Sequence, residues 1–186
     1  MAEFMSAFMH TMAREGGYSN HPADRGGETF RGISRKHHPD WSGWSLLDQY
    51  PTDLRDMLKD SQELMTRVAD FYRTEFWAPL RLSKIASQVI ANELFDSAVN
   101  CGVGTVGRWL QQAVNLLSNP DILVDGQVGS KTIGAVNLVI DVVGEGPLLK
   151  TLNGLQFEHY HSIVDRDASQ EVFFKGWLTR VWEIHS

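Results

Sequence analysis

Cysteine is all but missing: Cys101 is the single one in 186 residues. That excludes an internal disulfide and a four-cysteine zinc site, and it suits synthesis in a reducing cytosol. No histidine motif stands near Cys101, so a thiol nucleophile is not expected either. Seven histidines are present, but neither His37-His38 nor His159-x-His161 has the i, i+4 spacing of two ligands on one helical face. No HExxH occurs, so no metal is expected, and nothing in the chain asks for a cofactor. Basic clusters are lacking too, at a net charge of −6. Nucleic-acid binding needs a concentrated positive footprint, so no nucleic-acid partner is expected. No run approaches the roughly 18 to 20 apolar residues of a membrane span, so no membrane insertion is expected. The opening MAEFMSAFMHTMAREGG has no basic stretch before its apolar positions and does not read as a secretory signal. The expectation is synthesis in the cytoplasm. Repeats, low-complexity tracts and long linkers are absent, and strand-type alternation is nearly so.

What is present is helical periodicity in a chain that is 42% hydrophobic, an ordinary share for a globular protein. Residues 3 to 15 place Phe4, Met5, Phe8, Met9 and Met12 on one face, with Gly16-Gly17 as the stop. Residues 17 to 32 read as a polar, glycine-rich turn region or small hairpin. A second amphipathic segment begins at Asp53, carries Leu54, Met57, Leu64, Val68 and Tyr72, and ends at Pro79. Ser83 reads as the N-cap of a third helix and Thr105 as that of a fourth. Further helices are expected near 131–142, 147–165 and 170–184. The fold class is therefore mainly α, with a small loop or hairpin region.

The segment EGGYSNHPADRGGET sets Glu15 at a helix end, Asp24 after eight intervening residues, and Thr29 after four more. Cleaving a glycosidic bond takes one carboxylic acid to protonate the leaving oxygen and a group across the sugar to position water. A helix C-terminus carries about half a negative charge, and both that field and burial favour a protonated carboxyl at Glu15. By position alone, a glutamate before Gly-Gly is more often a solvated surface residue. Asp24 has a turn-building alternative of the same kind.

The run EGGYSNHPADRGGETFRGIS resembles the signature of the glycoside hydrolase family 108 muramidases of phages and prophages. Glu15, Gly16, Gly17, Tyr18, Asn20, Pro22, Asp24, Gly26, Gly27, Thr29, Gly32, Ile33 and Ser34 carry the likeness. Leu94-Phe95-Asp96-x-x-Val99-Asn100-x-Gly102 and Trp109-Leu110-Gln111 resemble the start of the peptidoglycan-binding lobe that accompanies the family. Asp125-Gly126-x-x-Gly129-x-x-Thr132 is similar to a turn of peptidoglycan-binding domains, and Phe174-x-Gly176-Trp177-x-x-Arg180 to the family's closing motif. The resemblance implies a lysozyme-like helical fold, a catalytic lobe over 1–92 and a helical peptidoglycan-binding lobe over 93–186. It implies cleavage of the β-1,4 bond between N-acetylmuramic acid and N-acetylglucosamine, with Glu15 as acid and Asp24 and Thr29 holding water. The spacing to Thr29 is one residue shorter than in phage lysozymes of similar pattern. Peptidoglycan is the implied partner, and a holin or dedicated exporter would release the protein to the wall. A lytic transglycosylase and a non-catalytic wall-binding or secretion-assisting protein remain alternatives.

Tyr18 and Asn20, beside the acid, are candidate sugar contacts. Asn92, Asp96 and Asn100 fall at i, i+4 and i+8 and form a polar stripe that reads equally as cleft lining or as a wet helix face, with Glu93 as a reserve carboxylate. Trp41, Trp44 and Trp77 are stacking candidates whose usual place is the core. Phe173, Phe174, Trp177, Val181 and Trp182 read as core of the last helix.

Overall fold

The computed structural model describes residues 1–13, 16–20, 27–118 and 121–182, the side chain of Trp182 excepted. The chain forms two compact units, one of Met1–Ala7 with Phe76–Ser186 and one of Phe8–Glu75.

In the smaller unit, three strands of two residues each make an antiparallel sheet in the order β1 (Tyr18–Ser19), β2 (Thr29–Phe30), β3 (Ile33–Ser34). Tyr18 pairs with Phe30 and Ser19 with Thr29; Thr29 pairs in turn with Ser34 and Phe30 with Ile33. Arg31 and Gly32 form the β2–β3 turn with φ of 48° and 79°. Two positive φ values match a twisted hairpin, and glycine at the second is what makes so tight a turn accessible. The expected turn region over 17 to 32 lies partly outside the described residues, and the hairpin seen here joins β2 to β3.

The expected single helix from Asp53 is instead two elements. A 3-10 stretch spans Thr52–Asp60, Ser61 is extended, and helix α3 runs Gln62–Tyr72 before widening into a π turn over Arg73–Trp77. Leu64, Val68 and Tyr72 are its buried stripe, while Leu54 and Met57 are exposed. The break at Ser61 resets the helical phase, so the two apolar segments do not share one face. A short helix α2, Trp44–Leu47, precedes them. Phe30 stacks on Trp41 at 6.0 Å, and Trp41 meets Trp44 edge-on at 5.0 Å. All three rings are buried, so the two tryptophans are core.

Helix α1, Phe4–Met12, buries Phe4, Ala7, Phe8, Thr11 and Met12. Met5 and Met9, expected on that face, are exposed: the buried stripe follows the 4-8-12 row and its 7-11 neighbour.

The α-helices of the larger unit are α4 (Gln88–Cys101), α5 (Val103–Ser118), α6 (Ser130–Val142), α7 (Glu145–Arg166) and α8 (Glu171–Trp182), and among its described residues there is no strand. Helix α7 packs against α4, α5, α6 and α8. The cap of α4 is Ser87, whose Oγ accepts from Ile90 N at 3.1 Å, rather than Ser83, which lies in a 3-10 turn. Gly102, at φ 84°, ends α4, and α5 begins at Val103 rather than at Thr105. Phe95 sits at the centre, edge-on to Phe4 and to Trp77. On α8, Val181 is buried and Trp177 stacks on Tyr160 at 5.1 Å. Phe173, expected in the core, is 55% exposed.

Candidate functional site

Glu15 and Asp24 lie outside the described residues. Thr29 does not: it occupies the middle strand of the sheet. Its cross-strand partners are Ser19 on one side and Ser34 on the other. Paired residues in an antiparallel ladder share a face, so Ser19, Thr29 and Ser34 form a row of hydroxyls across all three strands. Tyr18, Phe30 and Ile33 occupy the opposite face, with Phe30 and Ile33 fully buried. Ser19 and the adjoining Asn20 are exposed, while Thr29 and Ser34 are half-buried. Burial of the apolar face fixes which way the hydroxyl row points, because a one-residue slip would invert both faces.

A charged network pins the end of this sheet. Tyr18 Oη donates to Glu28 Oε1 at 2.8 Å, and Glu28 also pairs with Arg55 and, at 3.0 Å, with Arg35. Asp48 bridges the same two arginines, at 2.7 Å from Arg35 and 3.1 Å from Arg55. The Arg55 guanidinium lies 5.7 Å from the Tyr18 ring centre, so this face of the ring is covered by protein. Asp56 accepts from Tyr18 N at 3.1 Å. Burial first, then the Glu28 carboxylate, push the Tyr18 phenol above its usual 10.0, against the pull of Arg55, so the hydroxyl stays protonated and donates. Glu28, held by two guanidiniums and a phenol, acts as an anchor for Tyr18 and for the residue before Thr29.

Sequence reasoning missed this network and the two serines. Glu28 stood in plain view between Gly27 and Thr29, and Ser19 and Ser34 were readable once the hairpin register was fixed. Arg35, Asp48 and Arg55 had no local signal.

The polar stripe of α4 is neither an open cleft lining nor a wet face. Asp96 is fully buried, with both oxygens facing Arg180 Nη1 at 3.2 and 3.3 Å. Asn92 is buried and accepts from Gln88 Nε2 at 2.7 Å. Glu93 is also buried; it accepts from Ser97 Oγ, which in turn accepts from Gln156 Nε2. A buried polar group must find a partner inside, and Asn92 and Asp96 have done so. Only Asn100 of the three stripe residues is exposed, and it donates to Asp96 O at 2.8 Å. Asn92 and Asp96 are thus placed as internal ties rather than as groups a polysaccharide can reach. Among the described residues no cluster of three or more His, Cys, Asp or Glu is placed to hold a metal.

Comparison with known proteins supplies what geometry alone does not. The model of glycosyl hydrolase 108 matches residues 8–102, and that of a predicted peptidoglycan domain matches residues 106–182. The first match contains Glu15, Asp24, the hydroxyl row and the Glu28 network; the second contains the Asp125–Thr132 turn. No curated protein matches the chain. Among solved structures, SagA of Brucella abortus is similar over 98% of this chain and 91% of that one, with 23% identity and a TM-score of 0.66. At that identity the likeness concerns the fold, which is mainly α and lysozyme-like. With over half of its length matched, from Phe8 in α1 to Gly102 at the end of α4, the chain belongs to the glycosyl hydrolase 108 family.

Proposed function

We propose that this protein is a muramidase, hydrolysing the β-1,4 bond between N-acetylmuramic acid and N-acetylglucosamine in peptidoglycan. The observation that carries the reading is the hydroxyl row centred on Thr29, set on a sheet whose register is fixed and whose edge is anchored through Glu28. Glu15 protonates the leaving oxygen, and Asp24 with Thr29 holds the attacking water on the other side of the sugar ring. Ser19 and Asn20, exposed at the end of β1, add donors for sugar hydroxyls. Tyr18 contributes through the Glu28 anchor. The protein would act on the wall after release from the cytoplasm, through a holin in a phage or prophage setting or through an exporter in a bacterial one.

Zymography on purified wall, wild type beside Glu15→Gln, tests the reading. The isosteric amide cannot donate the proton, and lysis is expected to fall by roughly 10² to 10³-fold. Undiminished lysis would remove Glu15 from the mechanism. Mass spectrometry of the products separates hydrolysis from transglycosylation: reducing-end muramic acid supports the hydrolase, whereas anhydro sugars support a transglycosylase. A wall-binding protein without cleavage is the second reading, favoured by the separate peptidoglycan-domain match. It predicts retention on wall with no lysis by either variant.

A further inference from the structure

The 3-10 stretch Thr52–Asp60 buries none of its own side chains, yet it packs against β1. Polar contacts make that join. Arg55 lies over the Tyr18 ring and pairs with Glu28, which accepts from the Tyr18 hydroxyl. Asp56, the next residue, takes the other end of the same tyrosine: its Oδ1 accepts from Tyr18 N at 3.1 Å. Lys59 O accepts from Arg31 Nη2 at 3.0 Å. Asp56 and Lys59 stand at i and i+3, which share a face in a helix of three residues per turn, and both side chains meet Gly17.

The peptide unit joining Gly17 to Tyr18 is therefore gripped from both sides. Its N–H donates to Asp56 Oδ1, and its C=O accepts from Arg31 N at 3.0 Å. A peptide unit is planar, so holding both polar groups holds the plane. Gly17 is what admits the grip. A Cβ there would collide with Asp56 Oδ1 and stand 3.4 Å from Asp56 Cγ and 3.5 Å from Lys59 Cβ. The carboxylate would have to leave, and its bond to Tyr18 N with it. A Cβ on Gly16, by contrast, would meet nothing within 4 Å. Those two glycines are the whole chain between Glu15 and Tyr18. Successive glycines make the loosest link a backbone can have, since neither has a Cβ to restrict it. Three peptide units span that link, and the grip fixes the last of them, so the free part leading back to Glu15 is shortened to two.

We propose that Asp56 is a positioning residue for cleavage: by fixing the Gly17–Tyr18 peptide it holds the general acid Glu15 in reach of the glycosidic oxygen. This rests on the proposed role of Glu15, and it names a residue outside the motif on which that role depends. The bond to Tyr18 N needs an acceptor at Oδ1 and not a charge, so an amide at position 56 serves as well. Asp56 is 57% exposed, so truncating it opens no buried cavity and leaves the fold standing.

The test follows reducing-end muramic acid released from soluble, uncrosslinked peptidoglycan chains, with hydrogen exchange at the Tyr18 amide measured alongside. Asp56→Ala is expected to lower kcat about tenfold while KM stays within about twofold, because a small misplacement of a catalytic group costs rate rather than binding. Its Tyr18 amide should exchange faster. Asp56→Asn, which keeps an oxygen in place, should hold kcat within about threefold of wild type and keep that amide protected. Gly17→Ala, which drives the carboxylate out, should match Asp56→Ala, and the double variant should be no slower than either, as expected for two changes that break one contact. Unchanged kcat in Asp56→Ala, Asp56→Asn as slow as Asp56→Ala, or a loss seen in KM or Tm alone would each overturn the proposal. If Glu15→Gln is inactive while Asp56→Ala turns over at the wild-type rate, the positioning role falls and the muramidase reading stands. A wild type that releases no reducing-end muramic acid removes that reading, and the positioning role with it.

Discussion

Phe30 and Phe95 are both fully buried, yet the surroundings that bury them are of different kinds. Phe95 sits on a fourteen-residue helix whose backbone is satisfied internally, among Phe4 and Trp77, so its neighbours need only pack. Phe30 sits on a two-residue strand. Around it, backbone turns and short ladders are supplemented by side chains that bond to carbonyls: Tyr72 Oη donates to Arg31 O at 2.9 Å, Arg31 Nη2 to Lys59 O at 3.0 Å, Trp44 Nε1 to His38 O at 2.8 Å and Arg67 Nη1 to Ser42 O at 3.0 Å. Irregular backbone has the same obligation to bond as a helix has, and here long polar side chains help to meet it. The region carrying the proposed chemistry is thus held by specific cross-links, and the helical region by area. The first arrangement places a threonine with precision; the second tolerates change better.

Truncating the two phenylalanines tests that contrast most severely. Each Phe→Ala change should cost about 3 to 5 kcal/mol by creating a cavity. The consequences should differ in hydrogen exchange. Phe30→Ala should deprotect the amides of Arg31 and Arg35, which bond to Gly17 O and Glu28 O, because burial of the Phe30 and Ile33 face is what holds the register of such short strands. Phe95→Ala should leave the α4 amides protected below the global unfolding limit. Equal, delocalised loss of protection in both variants would break the comparison.

The helical region has its own specific cross-link. Arg180→Met keeps the stem of the side chain but takes the guanidinium away from the fully buried Asp96 carboxylate. About 3 kcal/mol of destabilisation is expected in urea unfolding, near the lower end for a broken buried pair. The double variant Arg180→Met with Asp96→Leu should recover much of that loss. No recovery would mean that the pair itself, and not the desolvated charge, sustains the packing of α4 with α8.

Glu28→Gln probes the smaller unit in the same way. The amide keeps the shape and loses the charge that Arg35 and Arg55 meet, at a position 13% exposed. About 2 kcal/mol is expected, typical for hydrogen bonds to a charged group, with part of it disappearing in high salt. If Thr29 takes part in catalysis, kcat should fall more than KM rises. A change confined to stability would leave the network structural only.

What the sequence made readable follows the same division. Helical periodicity located α4 to α8 to within a few residues, because packing by area leaves a repeating apolar signature, as at Ile90, Leu94 and Ala98. It failed where a break was not marked by glycine or proline, as at Ser61. The family was legible through its motif, from Glu15 to Ser34, and the small sheet only as a polar, glycine-rich turn region over 17 to 32. The cross-links were not, because Arg35, Asp48 and Arg55 meet Glu28 only once the chain has folded. Asp96 and Asn92 misled for a related reason: polarity at a helical period cannot distinguish a wet face from a buried one already paired.

Ser87 gives the finest comparison, since it decides where the most buried helix begins. Its Oγ accepts from Ile90 N and donates to Glu145, linking the start of α4 to the first turn of α7. Ser83 offered the same chemistry four residues earlier, yet the extended backbone at Ile85 and Ser87 makes Ser87 the cap. Ser87→Ala should therefore cost about 1 kcal/mol, the usual value of a lost N-cap. The loss should appear as faster exchange at Ile90, and Ser83→Ala should change neither quantity measurably. Were the two serines to prove equivalent, α4 would owe its start to the burial of Ile90, Ala91 and Leu94 alone, and area would hold this end of the helical region as it holds the middle.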